Sequence, residues 1–117
     1  MQFEKLKKVV ITAIEDLKGE KIVQLNVKGK TSFTDLMIIV SGTSSRHVKS
    51  IAENVVEKAK QADATPLGLE GEEQSEWVLV DLGDIVVHVM QPQVREFYGL
   101  EKLWGMDEAA GKRVANQ

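Results

Sequence analysis

A Gly-Thr-Ser-Ser turn at residues 42–45 is the sharpest candidate for phosphate chemistry in this chain. It follows an apolar run that ends at Val40 and precedes an amphipathic segment, so it stands where a strand passes into a helix. Backbone amides at a helix N-terminus can bind phosphate. The turn nevertheless lacks the lysine and the spacing of a P-loop, and it does not match a dinucleotide fingerprint. We therefore interpret it as a helix cap supplied by Ser44 or Ser45.

The same turn loosely resembles the glycine–serine turn of nucleotidyltransferases. Those enzymes also need two carboxylates one residue apart on the following strand, where they hold magnesium for the transfer reaction. The strand-like run at 77–82 offers only Asp81, and Asp84 lies three residues further on, in a turn. The paired metal ligands are missing, so the residues favour a protein that is not an enzyme.

A hydrolase would need a nucleophile, a base and an orienting group, for which Ser44, His88 and Asp81 are the candidates. Nothing in their spacing supports this set. His88 lies between two valines in a strand-like run, which favours a hydrogen-bonded core histidine over a catalytic base. His47 falls in the first turn of a helix, where we expect a surface polar role. The chain has no cysteine, which excludes disulfides, thiol catalysis and cysteine-containing metal sites.

The charge of the chain is distributed unevenly. The net charge is only -3, but residues 61–94 contain seven Asp or Glu and no Lys or Arg. Such a segment repels nucleic-acid phosphates and favours a basic partner. The pattern alone is equally consistent with a solvated acidic loop.

Aromatic side chains lie within and just after this acidic segment. Trp77 follows three glutamates within five residues. Phe97 and Tyr98 are neighbours in a predicted helix, where successive side chains diverge by about 100°, so at least one of them should be partly exposed. An aromatic anchor among carboxylates is a plausible hot spot for a basic protein surface. For Trp104 we expect core packing.

The hydrophobic periodicity indicates the elements that must position these residues. We predict, in order, helix, strand, strand, helix, short edge strand, hairpin and helix. The first three span residues 3–17, 22–27 and 36–40, and the second helix follows its cap at Ser44 or Ser45 and runs to residue 60. The edge strand lies around 65–69, the hairpin at 77–90 and the last helix at 92–105. Gly19 stands where a cap of the first helix is expected. The run 36–40 is continuously apolar, as in a strand buried on both faces. The prediction is an α/β (α+β) fold: a mixed sheet flanked by helices, with a crossover through the second helix that joins parallel strands.

The chain of 117 residues has the length of one domain, which we place at residues 1–105, followed by a flexible tail at 106–117. The apolar runs are much shorter than the ~20 residues of a membrane-spanning helix. The first residues carry too many charges for a signal peptide. We therefore expect a cytoplasmic protein with no membrane partner.

Several ordered motifs stand out along the chain. They read TDLMII at 34–39, SGTSSRHV at 41–48, GLEG at 68–71, WVLVDLGDIVVH at 77–88 and REFYGLEKLW at 95–104. Together they resemble one family, the ribosomal silencing factor RsfS family, also called Iojap, and the resemblance covers nearly all of residues 3–104. Only the segment after Gly105 departs from the shorter family pattern.

The resemblance implies a translational repressor with a nucleotidyltransferase-like fold that lacks the catalytic carboxylates. Such proteins bind the large ribosomal subunit through ribosomal protein fourteen and block association with the small subunit during nutrient limitation. The implied mechanism is occupancy of the large-subunit surface, with no chemical reaction and no cofactor. The resemblance also implies no direct DNA contact and suggests a homodimer. The family motifs mark five partner-binding positions, namely Glu70, Trp77, Asp84, Tyr98 and Leu100. The alternative that stays open is a nucleotide-binding, nucleotidyltransferase-like enzyme.

Overall fold

The computed structural model describes residues 2–32 and 34–102. These residues form three helices and five strands. In order along the chain they are α1 (Phe3–Asp16), β1 (Glu20–Asn26), β2 (Leu36–Ser41), α2 (Ser45–Gln61), β3 (Gly68–Glu70), β4 (Trp77–Asp81), β5 (Ile85–Met90) and α3 (Pro92–Tyr98). The domain boundary predicted at residue 105, the tail predicted at 106–117 and Trp104 lie outside the described residues.

The five strands form one mixed sheet in the order β1-β2-β5-β4-β3. β2 and β5 are parallel neighbours, and the other three pairs are antiparallel. All residues of β2 and of β5 are buried, because strands occupy both sides of each and both faces are covered. The predicted mixed sheet, the buried central strand and the parallel crossover are confirmed.

One face of the sheet packs against α1 and α2. Apolar residues recur at three- and four-residue intervals on both helices and turn toward the sheet. On α1 and α2 they are Leu6, Val10, Ala13, Ile14, Val48, Ile51, Ala52, Val55 and Ala59. A side-chain amide also joins the helices, since Asn54 Nδ2 donates to the carbonyl of Ala13 at 2.9 Å. Full burial of each large aliphatic side chain contributes about 1.5–3 kcal/mol, so this face holds most of the core.

The opposite face carries a smaller apolar cluster. Its buried members are Leu25, Val27, Met37, Ile39 and Met90. Side chains alternate between the two faces along β4. Val78 and Val80 point to the face covered by the helices, whereas Trp77, Leu79 and Asp81 are half-buried on the opposite face. α3 and the residues after it cover part of the cluster. The second face is therefore where side chains can meet both the sheet and solvent.

Two predicted elements have clearly wrong bounds, and the cap predicted for the first helix is displaced by one residue. The last helix stops at Tyr98, because Gly99 adopts the left-handed conformation (φ 58°, ψ 42°) and a new helical turn begins at Leu100. The edge strand forms at Gly68–Glu70 instead of 65–69. At the end of α1 the left-handed residue is Lys18 (φ 61°), and Gly19 follows it. No helix within residues 2–32 and 34–102 is long and apolar enough to cross a bilayer.

Candidate partner-binding site

The turn between β2 and α2 is a helix cap. Ser44 Oγ accepts a hydrogen bond from the backbone N–H of His47 at 3.1 Å, and Ser44 has the extended backbone of an N-cap. Gly42 is required there because an added Cβ would lie 2.9 Å from the backbone nitrogen of Val48. The predicted cap is confirmed at Ser44, and Ser45 is the first residue of the helix.

His47 joins the two helices. Its Nδ1 accepts from the backbone N–H of Thr43 at 2.8 Å. Its Nε2 lies 2.7 Å from the carbonyl oxygen of Leu17, at the end of α1, and donates to it in the neutral tautomer that this pair of bonds requires. The predicted surface polar role is corrected, because the half-buried ring uses both nitrogens inside the protein.

The three residues considered for a hydrolase do not form a catalytic set. Ser44 bonds to the amide of α2, and Asp81 Oδ1 accepts from the backbone N–H of Gly83 at 2.9 Å. His88 bonds to a tryptophan instead. Within the described part of the chain no hydrogen bond joins any two of the three. In the same part, no group of three or more His, Asp or Glu side chains could hold a metal ion.

His88 is a core histidine, as predicted. Its Nδ1 accepts a hydrogen bond from Trp77 Nε1 at 2.9 Å, between adjacent strands of the sheet. Burial lowers the pKa of His88 from 6.5 to about 4, because the imidazolium would lose its hydration there. The neutral ring therefore orients the indole of Trp77 at the edge of the second face.

An aromatic cluster of Trp77, Tyr98 and Phe97 stands over this edge. The ring centroids of Trp77 and Tyr98 are 4.8 Å apart, and Phe97 meets Tyr98 edge to face at 5.1 Å and 86°. Phe97 is 82% exposed and Tyr98 is 56% exposed. The sequence predicts that at least one of these two rings is partly exposed, and the structure shows that both are.

Leu100 belongs to the same surface. It is half-buried and packs, with Trp77, against the apolar cluster that contains Met37, Ile39 and Met90. Three of the five partner positions implied by the family motifs, Trp77, Tyr98 and Leu100, therefore converge on one patch.

The two acidic positions lie at different distances from this patch. Glu70 pairs with Leu79 across β3 and β4, and Leu79 is two residues from Trp77 on the same face. This diagonal places the backbones of Glu70 and Trp77 about 7–8 Å apart. Asp84 lies in the β4–β5 turn, beyond the far end of β4, which is about 13 Å from Trp77 at ~3.3 Å per residue. Glu70 thus lies on the strand beside Trp77, whereas Asp84 lies at the other end of the hairpin.

The loop between β3 and β4 supplies further negative charge. Glu73 and Glu76 in the loop are exposed, as is Glu70 at the end of β3, and none of the three has a cation within ion-pair distance among the residues that the structure describes. Ser75, buried beneath the loop, donates from its hydroxyl to the carbonyl of Glu72 at 2.6 Å and holds its shape. The cluster is thus bordered on the β3 side by uncompensated carboxylates.

Sequence reasoning assigns no role to Arg95, which lies on α3 in the turn before Phe97 and Tyr98. It is only 8% exposed and forms an ion pair with Glu101. Its spacing of six residues from Glu101 is not a helical pairing distance, so no periodic signal points to it. The pair spans the turn at Gly99.

The whole chain, residues 1–117, matches the family model described as RsfS, ribosomal silencing factor during starvation. This chain belongs to the RsfS family. One RsfS relative, the ribosomal silencing factor of Chromobacterium violaceum, is 47% identical over 105 residues, which are 90% of this chain and 86% of the relative. The resemblance seen in the sequence motifs is confirmed.

The fold of this RsfS member agrees with solved structures. A crystal structure of a Chromobacterium violaceum protein superposes with a TM-score of 0.88 at 47% identity, covering 90% of this chain and 88% of that one. A more distant relative is the mouse protein named mitochondrial assembly of ribosomal large subunit protein 1. It is 31% identical and covers 82% of this chain, but the match spans 43% of the mouse protein. RsfS proteins are ribosomal silencing factors, so the biological setting of this chain is the ribosome.

Proposed function

We propose that this chain binds the large ribosomal subunit through ribosomal protein fourteen and blocks the joining of the small subunit, which silences translation in the cytoplasm under nutrient limitation. The observation that carries the proposal is the exposed pair Phe97 and Tyr98 beside the acidic β3–β4 loop, with the Tyr98 ring in tilted contact with Trp77. The name of the mouse relative, which refers to the large subunit, supports the choice of subunit.

The patch has the composition of an interface hot spot. Aromatic side chains give large contact areas at a low cost in conformational entropy, and they dominate binding when they are central and surrounded by polar groups. Carboxylates at the rim, such as Glu70, raise the rate of encounter with a basic surface. Both features require only contact, so the mechanism is occupancy of the subunit surface without chemical turnover.

The direct test is sedimentation of purified large and small subunits with increasing amounts of the protein. We expect the protein to travel with free large subunits and to raise free subunits at the expense of whole ribosomes. Depletion of ribosomal protein fourteen from the large subunit should abolish binding. Unchanged gradients at saturating protein would disprove the proposal.

Tyr98→Ala is the most informative variant, because the ring is more than half exposed and its loss should not open the core. We expect large-subunit binding to weaken by about 2 kcal/mol or more, which is roughly thirtyfold in Kd. Leu67→Ala is the matched control, since Leu67 is 73% exposed but lies outside the aromatic cluster. An equal loss in both variants would show that exposed apolar area, and not this patch, governs binding.

Trp77→Ala should lower both binding and stability. The indole supports Tyr98 but also donates to the buried His88, which the truncation leaves without its donor. Melting temperature and subunit binding must therefore be measured on the same preparation. A folded Trp77→Ala, Tyr98→Ala double variant with undiminished binding would remove this site from consideration.

The same preparations test the remaining expectations. The nucleotide-handling alternative requires magnesium-dependent nucleotide binding that is lost when Ser44 and Ser45 are replaced by alanine. A titration of the protein with nucleotide and magnesium decides this point. The homodimer implied by the family is measured by the sedimentation coefficient of the free protein.

A further inference from the structure

The exposed aromatic pair, Phe97 and Tyr98, lies at the end of a short helix. α3 has only seven residues, and the chain leaves the helix through the left-handed Gly99. A helix this short has little stability of its own in water. Contacts outside the helical backbone must therefore hold Tyr98 over Trp77.

The side chain of Arg95 supplies such contacts. Its Nε donates to Glu101 Oε1 at 2.7 Å and its Nη2 to Glu101 Oε2 at 3.2 Å, which is the two-pronged geometry of a strong arginine–carboxylate pair. Its Nη1 donates to the hydroxyl of Ser41 at 2.8 Å. Ser41 is buried at the end of the central strand β2. One guanidinium thus ties α3 and the segment after it to the sheet.

The Arg95–Glu101 pair encloses the residues that form the patch. The segment between them contains Phe97, Tyr98 and Leu100, with Gly99 as its turning point. Backbone bonds follow the same path, since Gly99 N–H donates to the carbonyl of Arg95 and Lys102 N–H donates to that of Gly99, both at 3.0 Å. The ion pair therefore closes a loop whose outer side is the candidate binding surface.

We propose that the Arg95–Glu101 pair is a positioning device that presets the partner-binding surface by locking the turn at Gly99. The identity of the partner rests on the proposed function, but the locking itself does not. Without the pair, the segment would hold Tyr98 and Leu100 in the binding arrangement for only part of the time. The apparent Kd rises in inverse proportion to that fraction.

Glu101→Ala tests the proposal, and Glu96→Ala is its matched control. Both remove one carboxylate from the same region, but Glu96 is exposed and has no ion-pair partner among the residues described. If the locked arrangement falls to a tenth of the molecules, Glu101→Ala weakens large-subunit binding about tenfold. Its melting temperature also falls, because the buried Arg95 guanidinium loses its carboxylate, so binding is measured well below the unfolding transition. Glu96→Ala should have a much smaller effect. Equal effects would show that charge alone matters and would overturn the proposal.

Arg95→Lys separates geometry from charge. A lysine keeps the positive charge, but its single ammonium group cannot donate to both oxygens of Glu101 and to Ser41 in the geometry of the guanidinium. We expect a loss of binding similar to that of Glu101→Ala. Wild-type binding by this variant would also overturn the proposal.

Hydrogen exchange of the free protein tests the device independently of any ribosome. In Glu101→Ala the amides of Gly99 and Lys102 should exchange at least about tenfold faster, because the turn opens more often. The amide of Leu82, bonded in the β4–β5 turn at 2.8 Å, should be unaffected and reports an intact fold. Unchanged exchange at Gly99 and Lys102 would refute the positioning role. If the wild-type protein does not bind large subunits, the proposed function fails while exchange still decides this inference.

Discussion

Acidification should destabilise this protein through one buried side chain, His88. Its Nδ1 accepts a hydrogen bond from the indole N–H of Trp77 at 2.9 Å. Protonation of that nitrogen would turn it into a second donor and break the hydrogen bond. Burial lowers the pKa of His88 from 6.5 to about 4. We therefore expect the neutral ring to persist in the folded protein at pH values where an unfolded chain has already taken up the proton.

The sign and size of the effect follow from this difference in pKa. Between about pH 6.5 and pH 4 the unfolded state binds more protons than the folded state, so the free energy of unfolding falls as the pH falls through this window. The full difference corresponds to about 3 kcal/mol, and roughly 2 kcal/mol of it should be lost between pH 7 and pH 5. Below about pH 4 both states are protonated at this site and the contribution levels off.

Urea unfolding followed by far-ultraviolet circular dichroism at pH 7 and pH 5 measures this loss. The variant is His88→Gln, which does not titrate and keeps an oxygen that can accept from Trp77 Nε1. Between pH 7 and pH 5 the free energy of unfolding of this variant should fall by about 2 kcal/mol less than that of the wild type. His47→Gln, which removes the other histidine of the chain but leaves the Trp77–His88 bond intact, should retain the loss. A His88→Gln variant that is as acid-sensitive as the wild type would refute the reasoning.

Two further predictions concern the helix cap and the hairpin turn. Ser44→Ala should lower the free energy of unfolding by about 1 kcal/mol in urea titrations, because the His47 amide loses its acceptor, while large-subunit binding by the folded protein is unchanged. A Ser44→Ala protein that is as stable as the wild type would show that the cap contributes nothing. Asp84→Lys should chiefly slow association and flatten its salt dependence in stopped-flow measurements, since Asp84 lies apart from the aromatic cluster and acts through long-range charge. A faster dissociation rate with unchanged association would instead indicate direct contact.

Local patterns in the sequence are sufficient for most of the secondary structure. The continuous apolar run at 36–40 becomes a strand buried on both faces, and the spacing of Val48, Ile51 and Val55 becomes the inner face of α2. Ser44 before that helix becomes its cap. These features depend on residues a few positions apart, so the period and the side-chain chemistry predict them directly.

The family motifs identify the candidate site, and the fold determines which of its members meet. Trp77 reaches His88 because β4 and β5 are antiparallel neighbours, and it reaches Tyr98 because α3 returns over the second face of the sheet. Asp84 belongs to the same sequence motif as Trp77 but lies at the other end of the hairpin. Two residues of one motif can therefore lie far apart when a strand runs between them.

The end of the last helix shows most clearly what the sequence alone does not decide. The apolar spacing from Val94 to Trp104 predicts one helix, and Gly99 alone predicts only a weak point in it. The chain turns at Gly99, where Arg95 meets Glu101 across the break and Ser41 at the end of β2. Periodicity within one segment contains no information on a partner 54 residues away in the chain. The contact between Arg95 and Ser41 at the turn that presents Tyr98 therefore exists only once the sheet has formed.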